Sequence, residues 1–215
     1  MNLIKSAITK NNNKIELFEY KPTDFKSVVL FVGVTHGDEP QGKYLIEKYI
    51  NTFNSVVNIT NRLLFIPCLN PDGMQQNTRV NKNGVDLNRN FPTLNWVHSE
   101  KNEFWGGEEP NSEIETQFMV EVIEQYKPNY IISFHAPFKI VNYDGKASEL
   151  ANYISKISGY PVQADIGYPT GGSFGTFCGV ERNIPTITLE VDETLSNEEH
   201  WKTCSGIFKL MESYE

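Results

Sequence analysis

An α/β fold, with a mixed and mainly parallel sheet packed between helices, is predicted for this 215-residue sequence by three observations. Short apolar runs at residues 27–34, 62–69, 129–135 and 185–191 have the length and the β-branched or aromatic content of buried strands. Stretches with apolar residues at helical spacing lie between or after them, at residues 39–53, 111–127 and 147–157. The order strand, helix, strand is that of a crossover connection, which sets consecutive strands parallel. The length suits one domain, residues 1–215, with a substantial core.

Taken in order, residues 14–20 alternate apolar and polar (Ile15, Leu17, Tyr20) as an edge strand does, after a turn at Asn11-Asn12-Asn13. Residues 27–34 are continuously apolar and predict a central strand. Leu45, Ile46, Tyr49, Ile50 and Phe53 form one stripe of an amphipathic helix, and Leu63 to Ile66 a second buried strand. Residues 70–111 show no periodicity; a structureless stretch of that length in a compact domain is usually functional or disordered, and its aromatics argue against disorder. Asn111 is placed to cap a helix carrying Ile114, Phe118, Val122 and Tyr126, which Pro128 stops. A strand ending on Phe134-His135 follows, then a short strand at 139–143 that turns at Asp144-Gly145, and a helix with Leu150, Ile154 and Ile157 inward. The run 185–191 is interrupted by Glu190 alone. Ser196 and Glu199 form a capping box for the last helix, whose inner face is Trp201, Cys204, Phe208 and Met211.

Asp and Glu outnumber Lys and Arg, 27 to 19, for a formal net charge of −8. A nucleic acid or an anionic membrane calls for a basic face, so neither is an expected partner. No apolar stretch approaches the ~18 residues of a membrane span. Met1 to Ala7 lacks the basic start and apolar core of a signal peptide, and a cytoplasmic location is expected. Cys68, Cys178 and Cys204 are odd in number and widely spaced, as reduced and mostly buried thiols are. No helix reads as a coiled-coil seam, which leaves monomer or homodimer.

The chemistry concentrates at strand ends. His36 follows the first central run and Glu39 lies three residues on. That spacing at a strand-to-turn junction can place an imidazole and a carboxylate on one metal ion; alone, it describes a solvated turn equally well. His135 ends a second strand; a lone histidine there would read as a satisfied core imidazole, but His36 and Glu39 change the balance. In open α/β sheets ligands bind outside the carboxyl ends of the strands, where these side chains can meet. Two His and one Glu, with a position open to water, make the ligand set of a hydrolytic zinc site. A buried Glu190 is costly unless paired or protonated; beside such a metal it can act as general base and return the proton to a leaving amine. Its alternative is a solvent-facing place on an edge strand. His98 and His200 sit at no strand end and are read as surface residues. Arg79 and the pair Asn88-Arg89 supply local cations. One arginine can stabilise an oxyanion, worth about 2.7–4 kcal/mol, and another can hold a substrate carboxylate in a bidentate fork. By spacing alone they are ordinary surface arginines.

These residues belong to an ordered set: His36-Gly37-Asp38-Glu39, Asn70-Pro71-Asp72-Gly73, Asn77-Thr78-Arg79, Gly84 to Pro92, Ser133-Phe134-His135, Gly171-Gly172-Ser173 and Thr188-Leu189-Glu190. The set resembles the carboxypeptidase A-type zinc metallopeptidases over most of the chain. The resemblance implies a mixed, mainly parallel eight-stranded twisted sheet sandwiched between helices. It implies one zinc ion per chain on His36, Glu39 and His135, with Glu190 as general base and Arg79 polarising the scissile carbonyl. Asn88 and Arg89 would bind the carboxylate of the residue released, and Gly172 and Ser173 would help to form the substrate site. Tyr168 resembles the family's mobile active-site tyrosine, one residue nearer the glycines than in the digestive enzymes. The substrate class is a small peptide with a free carboxylate.

More narrowly, Phe134-His135-Ala136-Pro137, residues 141–145 and residues 172–177 are similar to the small bacterial murein peptide amidases. Those cleave the γ-D-glutamyl–diaminopimelate bond of released cell-wall peptides during cytoplasmic recycling. Phe174 or Gly175 stands where a basic-specific digestive carboxypeptidase has an acidic residue, so simple trimming of C-terminal Lys or Arg is not expected. Other readings are an N-acyl amino acid deacylase of the aspartoacylase and succinylglutamate desuccinylase type, a C-terminal-trimming carboxypeptidase, and a non-catalytic peptide-binding module on the same scaffold.

Overall fold

Seven strands form a single sheet in the computed structural model, which describes residues 1–53, 59–167 and 169–215. They are β1 (Asn2–Ile8), β2 (Lys14–Tyr20), β3 (Val28–Val32), β4 (Arg62–Ile66), β5 (Tyr130–His135), β6 (Ile140–Asp144) and β7 (Thr186–Glu190). The helices are α1 (Gln41–Thr52), α2 (Pro71–Gln76), α3 (Ile114–Tyr126), α4 (Ser148–Ser158) and α5 (Asn197–Met211). Across the sheet the order is β1-β2-β4-β3-β5-β7-β6. The middle four strands, β4, β3, β5 and β7, run parallel, while β1, β2 and β6 join antiparallel.

The continuous apolar runs are explained by cover on both faces. Along β3, Val29 and Phe31 point into a cluster with Leu45, Tyr49, Ile154 and Phe208, under α1, α4 and α5. Leu30 and Val32 point into the opposite cluster with Phe118, Val122 and Phe177, under α3. Phe208 stacks on Phe31 and Tyr49 at ring separations of 4.9 and 4.7 Å. From β3 the chain first moves to β4 on one side and later to β5 and β7 on the other. The order therefore reverses between β3 and β5, and a crevice opens there at the carboxyl ends.

Four expectations from sequence are corrected. The sheet has seven strands rather than eight: beyond β6 only a single parallel bridge, Val141 to Val162, extends it. Second, β2 is not an edge strand; β1 pairs along it with a register shift between Leu3 and Lys5. Third, Asn111 does not cap α3: it sits in the left-handed region (φ 60°), and the helix begins after Glu113. The long stretch 70–111 is ordered, as its aromatics argue. It contains α2 and a 3-10 turn at Leu87–Arg89, and buried Asn90 ties it down by donating to the Gly106 carbonyl at 2.7 Å and accepting from the Thr116 hydroxyl at 2.6 Å. Fourth, His200 is buried, its Nε2 donating to the Asp192 carbonyl at 2.8 Å. The capping box of Ser196 and Glu199, by contrast, is present as read.

Immediately after β3, Val34 takes a left-handed backbone (φ 53°) with its side chain fully buried. A β-branched residue pays for that conformation, and only firm surrounding packing sustains it. Replacing Phe208 by Ala removes a fully buried ring from the main cluster and is expected to cost about 3–5 kcal/mol. Calorimetry should show Tm falling by about 10 °C relative to the parent protein.

Candidate active site

The carboxyl ends of β3, β5 and β7 lie side by side and each delivers a functional side chain. The exit from β3 carries His36 and Glu39, β5 ends on His135, and β7 ends on Glu190. His135 and Glu190 are direct register partners, so their side chains leave the same face of the sheet. His36 Nδ1 lies 2.8 Å from Glu39 Oε1, His135 Nδ1 lies 2.9 Å from Glu39 Oε2, and the two Nδ1 atoms are 3.3 Å apart. The donor atoms of all three residues fall within 4.8 Å of one another, and all three residues are buried.

The hydrogen bonding says what these groups need. His36 Nε2 lies 3.2 Å from Asp86 Oδ1. Ionised Asp86 can only accept, so Nε2 carries a proton; were the ring neutral, its Nδ1 lone pair would face Glu39, another acceptor. Two lone-pair groups at 2.8 Å repel unless a positive charge sits between them. Burial alone would depress the His36 pKa, but the carboxylates of Glu39 and Asp86 override it and lift it to about 9. Burial likewise opposes charge on Glu39, yet His36 and His135 hold that carboxyl far below its usual range. The pocket thus demands a cation, and two imidazole nitrogens with one carboxylate suit zinc. Asp86 is placed to supply the outer hydrogen bond that would orient His36 as a ligand.

Glu190 is different. Its Oε2 is buried with no hydrogen-bond partner among the described residues. Burial raises its pKa, with the charge of Glu39 adding to the rise and His135 partly offsetting it. It is neither a surface residue nor a paired one.

The cations expected from sequence arrive at the same place. Arg79 donates from Nε and Nη2 to Asp86 Oδ2 at 3.0 and 2.9 Å, and its Nη1 lies 3.8 Å from Glu39. Its guanidinium lies 5.1 Å from the ring centre of Phe104. Arg79, Asn88, Arg89 and Ser173 line a cleft of about 770 Å³ together with His36, Glu39, His135 and Glu190. Asn88 Oδ1 accepts the Phe174 N–H at 2.9 Å, and Arg89 Nη1 donates to the Asn88 carbonyl at 2.7 Å. The hydroxyl of Ser173 is spent within the protein, on Thr176 at 3.0 Å. Gly172 does not line the cleft. It is buried at φ 74°, and a side chain there would meet the Arg89 carbonyl, so it shapes the loop that carries Arg89's neighbours. Tyr168 lies outside the described residues.

Residues that sequence reasoning missed are Asp86, which appeared only inside a motif, and Asp144, Asn142 and Phe138, which also line the cleft. Asp144, which beside Gly145 reads as a turn residue, is the last residue of β6.

Fold and site together define a metal-dependent hydrolase built on an α/β sheet. A model of the zinc carboxypeptidase family matches residues 2–161, and the chain belongs to that family. The matched stretch includes His36, Glu39 and His135 and stops short of Glu190. The murein peptide amidase A of Escherichia coli K12 is 34% identical over 194 residues, covering 85% of this chain and 78% of that protein. The crystal structure of a murein-tripeptide amidase from Escherichia coli O157 superposes with a TM-score of 0.85 at 29% identity, covering 97% of this chain and 90% of that one. The carboxypeptidase A of Helicoverpa armigera shares the fold, with a TM-score of 0.79 at 16% identity over 99% of this chain and 69% of its own.

Asp86 should govern how firmly the metal is held. Replacing it by Ala is expected to weaken zinc binding by about 10–100-fold, measured by competition against a chromophoric chelator, while the folded state persists by circular dichroism.

Proposed function

We propose that this protein hydrolyses the γ-D-glutamyl–diaminopimelate amide bond of cell-wall-derived peptides, using one zinc ion held by His36, Glu39 and His135. The observation that carries the chemistry is the register of β5 and β7, which puts Glu190, with its Oε2 buried and unpartnered among the described residues, directly beside His135. The substrate assignment is supported by the near full-length likeness to the murein-tripeptide amidase from Escherichia coli O157.

When bound, zinc acidifies a water molecule and polarises a carbonyl oxygen. Glu190 takes the proton from the attacking water and delivers it to the departing amine. Its raised pKa suits both halves of that task, because a base poised nearer the working pH gives the proton back more readily. Arg79, braced on Asp86, offers Nη1 to the oxygen on which negative charge develops. Arg89 and Asn88 receive the carboxylate of the residue released, with Arg89 steadied by the Asn88 carbonyl. The reaction belongs to turnover of wall peptides already released into the cytoplasm, a setting in keeping with three buried cysteines that are all free.

Incubation of the zinc-loaded protein with L-Ala-γ-D-Glu-diaminopimelate, with products identified by mass, should release free diaminopimelate. Release of only a terminal D-Ala from longer peptides would indicate a trimming carboxypeptidase instead, and turnover of N-acyl amino acids a deacylase. The Glu190→Gln variant should keep its zinc and lose about 10²–10⁴-fold in kcat; undiminished turnover would reject Glu190 as the base.

A further inference from the structure

Phe104 is 48% exposed, although the next residue, Trp105, is buried, and it lines the cleft beside Arg79. A ring held in that position forgoes part of the stabilisation that burial would bring, so what it meets is informative. It meets the guanidinium of Arg79, whose central carbon stands over the ring at 5.1 Å from its centre. That is within the range in which a cation is drawn to the electron-rich face of an aromatic ring.

The ring sits on a fixed turn. The Phe104 N–H donates to Asn102 Oδ1 at 2.7 Å, and the Trp105 N–H donates to the Asn102 carbonyl at 3.1 Å. The Trp105 carbonyl in turn accepts the Asp86 N–H at 2.8 Å. The residue after Phe104 is therefore tied to the backbone of the carboxylate that grips Arg79. Gly106 continues the close fit: a Cβ there would lie 2.4 Å from the Arg89 carbonyl oxygen.

Arg79 needs this second wall. Nε and Nη2 both donate to one oxygen, Asp86 Oδ2, at 3.0 and 2.9 Å. Two bonds that converge on a single acceptor leave a planar group free to tilt about it. A ring against the guanidinium removes that tilt and keeps water from the side it covers, where a less screened cation acts more strongly on nearby charge. Nη1 makes no hydrogen bond among the described residues and points toward the ligand cluster, 3.8 Å from Glu39 Oε1.

We propose that Phe104 is a positioning residue for the hydrolysis: its ring braces the Arg79 guanidinium, so that Nη1 is aimed where the oxyanion forms. This rests on the function proposed above, in which Arg79 meets that oxygen. The charge on the oxygen develops only in the transition state, so the effect falls on kcat rather than on KM.

The test uses the zinc-loaded protein and L-Ala-γ-D-Glu-diaminopimelate. Phe104→Leu, apolar but without an aromatic face, is expected to lower kcat about 5–30-fold with KM held within about 2-fold. Phe104→Tyr, which restores the ring, should return kcat to within about 3-fold of wild type. In an Arg79→Ala background, Phe104→Leu should cause no further loss, because the group it acts through is gone. Undiminished kcat in Phe104→Leu, a loss confined to KM, or a full additional loss in the Arg79→Ala background each overturns the proposal and leaves the proposed function standing. Failure of wild type to cleave the peptide overturns that function, and this proposal with it. Should Phe104→Leu not fold, Phe104→Met takes its place. Should Arg79→Ala be too slow to measure, a phosphinate analogue of the peptide decides: inhibition weakened about 5–30-fold by Phe104→Leu supports the proposal, and unchanged inhibition overturns it.

Discussion

The carboxylate of Asp86, fully buried behind the ligand cluster, is the fixed point of the site. Oδ1 meets His36 Nε2 and accepts the Asn88 N–H at 2.9 Å, while Oδ2 takes two N–H groups of Arg79. One side chain thereby orients His36, the proposed metal ligand, aims the Arg79 guanidinium and starts the turn that carries Asn88 and Arg89. A buried anion is tolerated only where several donors surround it, and burial here is outweighed by His36 first and then Arg79, which keep Asp86 ionised well below the usual carboxylate range. Removing it would loosen all three at once, because its pairing ties His36 to Arg79 and to the Asn88-Arg89 turn.

The sheet supplies the rest of the geometry. Parallel strands present all their carboxyl ends on one side, and the reversal of order between β3 and β5 leaves a gap that no connection crosses. His36 and His135 come from the two strands bordering that gap, though 99 residues separate them in sequence. Glu190 arrives from the next strand out. Catalytic side chains at the ends of strands buried on both faces inherit the rigidity of the core, whose aromatic stack of Phe31, Tyr49 and Phe208 lies beneath.

Much of this was legible in the residues. Continuous apolar runs such as 28–32 can only be strands covered on both faces, and a polar residue closing such a run, as His135 and Glu190 do, stands out against it. What escaped was carried by long-range pairing. Strand β1 is polar and half-exposed, and only its ladder with β2 makes it a strand. His200 sits among Glu199 and Lys202 and reads as exposed, yet the carbonyl of Asp192 draws its ring inward. Asp86 and Asp144 had neighbours typical of turns, and nothing local shows that one is enclosed by cations while the other lines the cleft. Of the eighth strand implied by resemblance, a single bridge at Val162 is present among the described residues.

Val34 carries a consequence for metal loading. Its left-handed backbone persists only because the side chain is locked in the core, so the segment leading to His36 is held in shape by packing rather than by a bound ion. Ligands already arranged lose little chain entropy on capturing an ion. Uptake and loss of zinc in this protein then resemble a key entering and leaving a cut lock, with the apo form keeping its native outline, unlike a small zinc finger that collapses when its ion departs.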